Sequence, residues 1–409
     1  MVKAVVVGSG GREHAIGSVL ARTADVKVTP GNPGIPWSIA TPAEQLDADL
    51  FVIGPEVPLV DGLADRLRTQ GKRVFGPGAD GAQLEGSKGW MKQLLVEAGV
   101  PTADHGTFSD VDQALAYLDT MHDLFVVKTD GLAAGKGVVV TTNRAEAELA
   151  VHDYLSGARF GSAGQTCVIE EGLTGPELSL LAVCDGTNAI ALSPAQDFKR
   201  HRDGDLGPNT GGMGAYSPMP TVDDQLVDSI MESTVLPTLH ALQARGIDYR
   251  GVLYAGLMLT PTGPKMIEYN IRFGDPEAQV VLPQMTSDLF ELLASAADGN
   301  LTTRPTFAGH WATVVCAADG YPGVPRKGDV ITGIADAEAI DGVEVFCAGV
   351  AVNDSDAFVT AGGRVLNVTA SGATLAQARE RAYAGVEKIQ WNGRYARTDI
   401  ALAASQAGE

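Results

Sequence analysis

Hydrophobic positions along this chain fall into two alternating patterns. Short continuous apolar runs, such as "AVVVG" and "LFVIG", read as buried strands. Each gives way to a glycine or proline turn and then to apolar residues spaced in helical steps. "KAVVVGSGGREHAIGSVLAR" is a strand, a glycine turn and a helix. "LDADLFVIGPEVPLVDGLADRLRTQG" repeats that order, and "KRVFGPG" adds a third short strand. Strands alternating with helices predict a doubly wound, parallel N-terminal sheet over residues 1–100.

The pattern then changes. "SKGWMKQLLVEAGVP" predicts a helix closed by Gly99 and Pro101, and "DVDQALAYLDTM" predicts another. "LFVVKTDGLAAGKGVVVTT" is different: two apolar, β-branched runs flank a glycine-rich loop, and no helical pattern begins after it. In a Walker A motif, four residues separate the first glycine from a Gly-Lys pair, Ser or Thr follows, and the loop opens a helix. Here three residues separate Gly131 from Gly135, and Gly137 follows Lys136, so the loop is predicted to be the tip of a β-hairpin. With the helix "RAEAELAVHDYL" and the strand "CVIEEGL" it forms a compact α+β unit over about 107–176, inside a middle region of 101–296. A small C-terminal α+β domain, 297–409, is predicted from "HWATVVCAADG", "VEVFCAGVAV", "RVLNVTASG" and the helix "TLAQARERAYAGVEKIQ".

Composition narrows the partners. A formal charge of −20 argues against a nucleic-acid or anionic-membrane partner, which would need a basic face. No run approaches the ~20 apolar residues of a membrane span, and the N-terminus lacks a signal-peptide pattern. A cytoplasmic location is expected. The four cysteines sit in or beside strand-like runs without Cys-x-x-Cys spacing, so they read as buried free thiols.

Local charge then marks candidate sites. The loop Gly131–Gly137, with Lys128 and Lys136, offers backbone N–H groups and point charges suited to polyphosphate. "IEYN" puts Glu268 and Asn270 on one face of a strand, as hard oxygen ligands for Mg²⁺ or Mn²⁺, and Arg272 follows two residues on. Glu170, Glu171 and Glu177 could accept bonds from an adenine amino group and ribose hydroxyls. Lys199, Arg200, His201 and Arg202 form a local cationic cluster beside "GPNTGGMGAY". "GSGGREHA" fails the dinucleotide fingerprint, because Glu13 stands where the third glycine belongs, but it could hold one phosphate at a helix N-terminus near Arg12. His14 could serve chemistry or packing. Each of these stretches could also be a solvated surface loop.

In this order, "GSGGREHA", "GPEVPLVDG", "LEGSK", "VVKTDGLAAGKGV", "QDFKR", "DGDLGPNTGGMGAYSP", "IEYNIRFGDPEAQ" and "GRVLNVTASG" resemble the glycinamide ribonucleotide synthetase (phosphoribosylamine–glycine ligase) family of the ATP-grasp superfamily, over nearly the whole chain. The resemblance implies a Rossmann-like N-terminal domain, an ATP-grasp pair of α+β units and a C-terminal α+β domain. It implies a purine-biosynthetic ligase with small-molecule partners (ATP, glycine and 5-phosphoribosylamine), Mg²⁺ or Mn²⁺, and a monomer or weak dimer. Lys88, Lys128 and the loop through Gly131, Gly135, Lys136 and Gly137 would contact the phosphates. Glu170, Glu171, Leu173 and Glu177 would bind adenine and ribose. Glu268 and Asn270 would hold the metal, and Arg272 would steady the transferred phosphoryl group. Gly10, Gly11, Arg12 and Glu13 would hold the substrate phosphate. Asp197, Lys199, Asn209, Thr210, Gly211, Gly212 and Asp275 would lie near glycine and the amine. Gly172 and Pro176 depart from the family's usual aromatic and acid, which loosens the expected adenine pocket. A different ligase or carboxylase of the superfamily would share the clamp but not "RFGDPE". A non-catalytic nucleotide-binding protein would lack the metal pair and Arg272.

Overall fold

The structure is a computed structural model that describes residues 1–132, 137–156 and 165–407. Its N-terminal sheet is parallel, with strands in the order Ala24–Pro30, Val2–Gly8, Leu50–Ile53, Val74–Phe75. "AVVV" and "LFVI" are buried along their whole length, as parallel strands covered on both faces must be. The turn after the first strand opens the helix Gly11–Leu20.

Strands His105–Phe108, Cys167–Glu171, Phe125–Thr129 and Val138–Thr141 form an antiparallel sheet in that order, backed by the helices Val111–Leu118 and Arg144–Leu155. The glycine-rich loop joins its last two strands, with Lys128 opposite Val138 and the Thr129 N–H donating to the Gly137 carbonyl at 2.9 Å. The predicted hairpin is therefore present. This unit has its own apolar core, in which Ala114, Leu118, Phe125, Val127, Val151 and Ile169 pack together.

A second antiparallel sheet runs Ala189–Ala191, Glu177–Asp185, Arg250–Thr260, Gly263–Asn270. The third is composite. Gln196–Asp197 and Gly214–Ser217 pair onward with His310–Ala317, Arg364–Gly372 and Val343–Cys347. The line drawn near residue 297 from the change of pattern is thus crossed by one continuous sheet. Strand-length apolar patterns do not reveal which sheet a two- or four-residue strand joins.

The N-terminal and C-terminal parts are also bonded directly. The Cys347 N–H donates to His14 Nδ1 at 2.9 Å, and Asn32 Nδ2 donates to the Ser9, Cys347 and Ala348 carbonyls. His14 lies edge-on to Phe346 and Trp37, and burial lowers its pKa to about 4. It is a neutral packing histidine. All four cysteines are buried and free. No helix among the described residues is long and apolar enough to cross a membrane.

Candidate active site

The sheets and the N-terminal domain meet around a cavity of about 300 Å³. Its wall includes Lys88, Gly131, Gly137, Glu268, Asn270 and Arg272, together with Arg12, Asp197, Lys199, Thr210, Gly211, Asp275, Glu277 and Arg364.

Lys88 opens the helix Lys88–Glu97, whose N-cap Ser87 accepts a bond from the Trp90 N–H. Asp130, at the start of the glycine loop, accepts from the Lys88 and Gly89 N–H groups and from Ser87 Oγ. Lys88 Nζ donates to the Gly131 carbonyl at 2.8 Å. The base of the hairpin is thereby tied to a helix N-terminus. Burial lowers the Lys88 pKa, with Glu268 opposing that effect. Gly135 and Lys136 lie outside the described residues.

Glu268 and Asn270 alternate with buried Tyr269 on the last strand of the second sheet, so both face the cavity. The Glu268 carboxylate has no hydrogen-bond partner among the described residues. Asn270 Oδ1 accepts from Arg272 Nη2 at 3.1 Å. An acceptor-only carboxylate beside an amide oxygen fits Mg²⁺ or Mn²⁺, whose remaining ligands would be water and phosphate oxygens. Arg272 follows the strand end and is gripped by Glu56 at 3.2 Å and Glu85 at 3.0 Å. Burial would lower its pKa, but those two carboxylates raise it above the ordinary value, so it stays a fixed cation.

Four expected placements differ from the reading of the sequence. Glu170 does not line the cavity. Its side chain is buried between Lys128 Nζ at 2.7 Å and Lys92 Nζ at 2.8 Å. The cavity wall takes in Lys88 but not Lys128, whose ammonium is turned to Glu170. The cationic run is not one site either. Lys199 Nζ is held by Glu177 at 2.6 Å and Asp197 at 2.7 Å, whereas His201 stacks on Tyr395 and the Arg200 carbonyl accepts from Arg397. Alternating side chains on a short strand face opposite ways, which a charge count cannot register. Glu13 does not reach outward: its carboxylate accepts from the Gly10 N–H and Arg12 Nε at 2.6 Å each. A Cβ on Gly8 or Gly54 would lie 2.4 or 2.1 Å from its side-chain atoms. Glu13 therefore fills the space that a dinucleotide loop leaves open.

Glu171 pairs with Lys265 at 2.9 Å, and Leu173 is half-buried in the segment that follows. The Gly172 departure is compensated, because a Cβ there would lie 2.2 Å from Leu124 Cγ, so Leu124 occupies that space. Asn209 ends the strand Leu206–Asn209, opposite Arg200. Thr210 bonds the Lys199 carbonyl through both N–H and hydroxyl, and its hydroxyl accepts from the Gly212 N–H. Gly11 sits against the amide groups of Asn367 and Gln279. Asp275 meets Arg364 Nη2 at 3.1 Å and accepts from Gln279. Burial pushes the Asp275 pKa up, but Arg364 and Arg12 bring it below the ordinary value. Asp197 is pushed up to about 7 by burial, with Lys199 opposing.

The whole layout can be compared with known proteins. Family models described as the N domain, the ATP-grasp (A) domain and the C domain of phosphoribosylglycinamide synthetase match residues 2–85, 86–278 and 311–403. The chain belongs to the phosphoribosylglycinamide synthetase family. A phosphoribosylamine–glycine ligase of Caulobacter vibrioides is 48% identical over 98% of both chains, and one of Escherichia coli O157:H7 is 45% identical over the same shares. The crystal structure of a phosphoribosylamine–glycine ligase from Thermotoga maritima superposes with a TM-score of 0.87 at 34% identity, covering 98% of this chain and 100% of that one. A biotin carboxylase–β,γ-ATP complex from Campylobacter jejuni shares the fold, with a TM-score of 0.71 at 16% identity over 97% and 93%.

Within this phosphoribosylglycinamide synthetase scaffold, several residues at the site carry no strong local signal. Glu56 and Glu85 clamp Arg272 from the N-terminal domain. Arg364 donates to the Gly211 and Asp275 carbonyls, and the Tyr321 hydroxyl accepts from the Gly211 N–H. The C-terminal domain thus fixes the glycine-rich loop at Gly211. Lys92 was missed as well, although its place one helical turn after Lys88 was a signal that could have marked it.

Proposed function

We propose that this chain joins glycine to 5-phosphoribosylamine with ATP, the reaction for which its full-length relatives are named, through a glycyl phosphate, giving glycinamide ribonucleotide, ADP and phosphate in the cytoplasm. The observation that carries this reading is one cavity whose wall brings together Lys88, Arg272 and Glu268 with Arg12, Asp275 and Arg364.

A carboxylate is a poor acyl donor at neutral pH, and its phosphate anhydride is a good one. The glycine carboxylate attacks the γ-phosphorus, ADP leaves, and the amine nitrogen of phosphoribosylamine then displaces phosphate from the acyl carbon. Glu268 and Asn270 would hold the divalent cation, which supplies charge neutralisation between phosphate groups when bound. Arg272, fixed by Glu56 and Glu85, would stabilise charge on the transferred group without reorganising. Lys88 and the hairpin would cover the phosphates and exclude water from the anhydride. Adenine and ribose would lie along Glu171, Leu173 and Glu177. The Gly10–Arg12 turn would take the ribose phosphate, and Asp197, Thr210, Gly211 and Asp275 would surround glycine and the amine.

Glycine labelled with ¹⁸O in its carboxylate tests the route. One labelled oxygen per turnover should appear in inorganic phosphate. Label in AMP, or unlabelled phosphate, overturns the glycyl phosphate even if the amide product forms.

A further inference from the structure

The ion-pair cluster behind the hairpin contains more positive than negative charge. Glu170 is nearly fully buried and meets two ammonium groups, Lys128 and Lys92. Lys92 is completely buried. Its Nζ also donates to Thr102 Oγ1 at 2.7 Å, and that hydroxyl donates to the Met266 carbonyl at 2.7 Å, on the strand that carries Glu268. Lys92 is therefore fixed at both ends. Lys128 is held less firmly: beyond Glu170, the side-chain bond it makes among the described residues is a long one to the Ile267 carbonyl at 3.4 Å. Burial lowers the Lys92 pKa to about 8, which leaves it charged at neutral pH.

This arrangement answers a difficulty in the proposed function, on which the inference rests. Lys128 is the lysine of the glycine-hairpin strand, yet its ammonium is spent on Glu170. If it turned to a nucleotide's phosphates, Glu170 would be left as a buried carboxylate. Removing one partner of a buried ion pair is strongly unfavourable because the other charge stays uncompensated. We propose that Lys92 is the standing counter-ion of Glu170, a positioning residue that releases Lys128 to the phosphates. Two ammoniums against one carboxylate leave a single positive charge in a nearly dry site, and the polyphosphate supplies the missing anion. Lys92 itself touches neither nucleotide nor metal.

Equilibrium binding of MgATP, measured by calorimetry on the full chain, tests this apart from the ligase reaction. Lys92→Met leaves Lys128 as the sole partner of Glu170, so Kd for MgATP should rise about tenfold or more (about 1.4 kcal/mol). Lys92→Arg should bind within about threefold of the parent (about 0.7 kcal/mol). The decisive variant is the double, Lys92→Met with Glu170→Gln. Removing the carboxylate frees Lys128 again, so the double should bind MgATP more tightly than Lys92→Met alone. A merely structural Lys92 gives the opposite order, because a second buried substitution only adds damage. Unchanged binding by a folded Lys92→Met, or a double variant no better than the single, overturns the proposal. Should Lys92→Met not fold, Thr102→Val, which loosens the Lys92 anchor, must weaken MgATP binding in the same direction; unchanged binding there overturns it equally. Absence of amide product from the parent chain would instead reject the proposed function.

Discussion

Lowering the pH should loosen the junction of the N-terminal and C-terminal domains through His14. Its Nδ1 accepts the Cys347 N–H, so that nitrogen must be unprotonated, and a proton there would set two donors against each other. Burial holds its pKa at about 4 against an ordinary 6.5. The folded value is the lower one, so the unfolded chain takes up the proton first. Stability from this group is intact above the unfolded value and falls as pH drops from about 6.5 towards 4. The full gap is about 3 kcal/mol at ~1.4 kcal/mol per pH unit, reached only below about pH 4. At pH 5.5 the unfolded histidine is about nine-tenths protonated and the folded one almost not at all, a loss of about 1.4 kcal/mol. Urea unfolding at pH 8 and pH 5.5 measures it. His14→Asn keeps an oxygen acceptor near the Nδ1 position and cannot titrate. Its stability should fall less between the two pH values than the parent's, by about 1.4 kcal/mol. Equal pH dependence in parent and variant would refute the assignment of a buried neutral imidazole.

Other outcomes follow from the site. Glu268→Gln should keep the fold by circular dichroism but lose most activity, partly regained at raised Mg²⁺ or Mn²⁺; full activity at ordinary metal concentration would remove Glu268 from the metal site. MgATP should protect residues 128–132 and 137–141 from hydrogen exchange with little change over 343–372, and no protection would remove the hairpin from the phosphate site. Arg364→Met should lower kcat/KM for phosphoribosylamine at least tenfold, about 1.4 kcal/mol, with MgATP affinity nearly unchanged; a parallel loss of MgATP binding would show that Arg364 acts on the fold instead. Gly172→Phe should destabilise by about 1–3 kcal/mol in urea unfolding, because Leu124 already fills the space.

Elements formed by contiguous residues were legible in the sequence. The parallel N-terminal sheet follows from continuous apolar runs joined by helical spacing. The hairpin follows from β-branched residues on both sides of the glycine loop. Glu268 and Asn270 share a face because strands alternate. What stayed hidden depends on contacts between distant segments. Nothing near Glu170 shows that Lys92 and Lys128 will converge on it, so an acid next to a linker read as a ligand for ribose. Nothing near Arg364 shows that it reaches Gly211 and Asp275. Lys199 and Arg200 read as one cluster because sequence displays charge before it displays direction.

The composite sheet has a consequence for the order in which the chain is made. In the finished fold, Gly214–Ser217 is flanked by Gln196–Asp197 on one edge and by His310–Ala317 on the other. The second neighbour lies about 90 residues downstream, which at ~5–20 residues per second takes the ribosome roughly 5–20 s to add. During that interval Gly214–Ser217 offers unpaired N–H and carbonyl groups along one side, next to apolar surface that is buried later. Such an edge is a template for pairing with another chain. A nascent-chain holdase that covers this edge until His310–Ala317 arrives would raise the yield of native protein, and synonymous codons that slow translation between residues 218 and 310 would lower it.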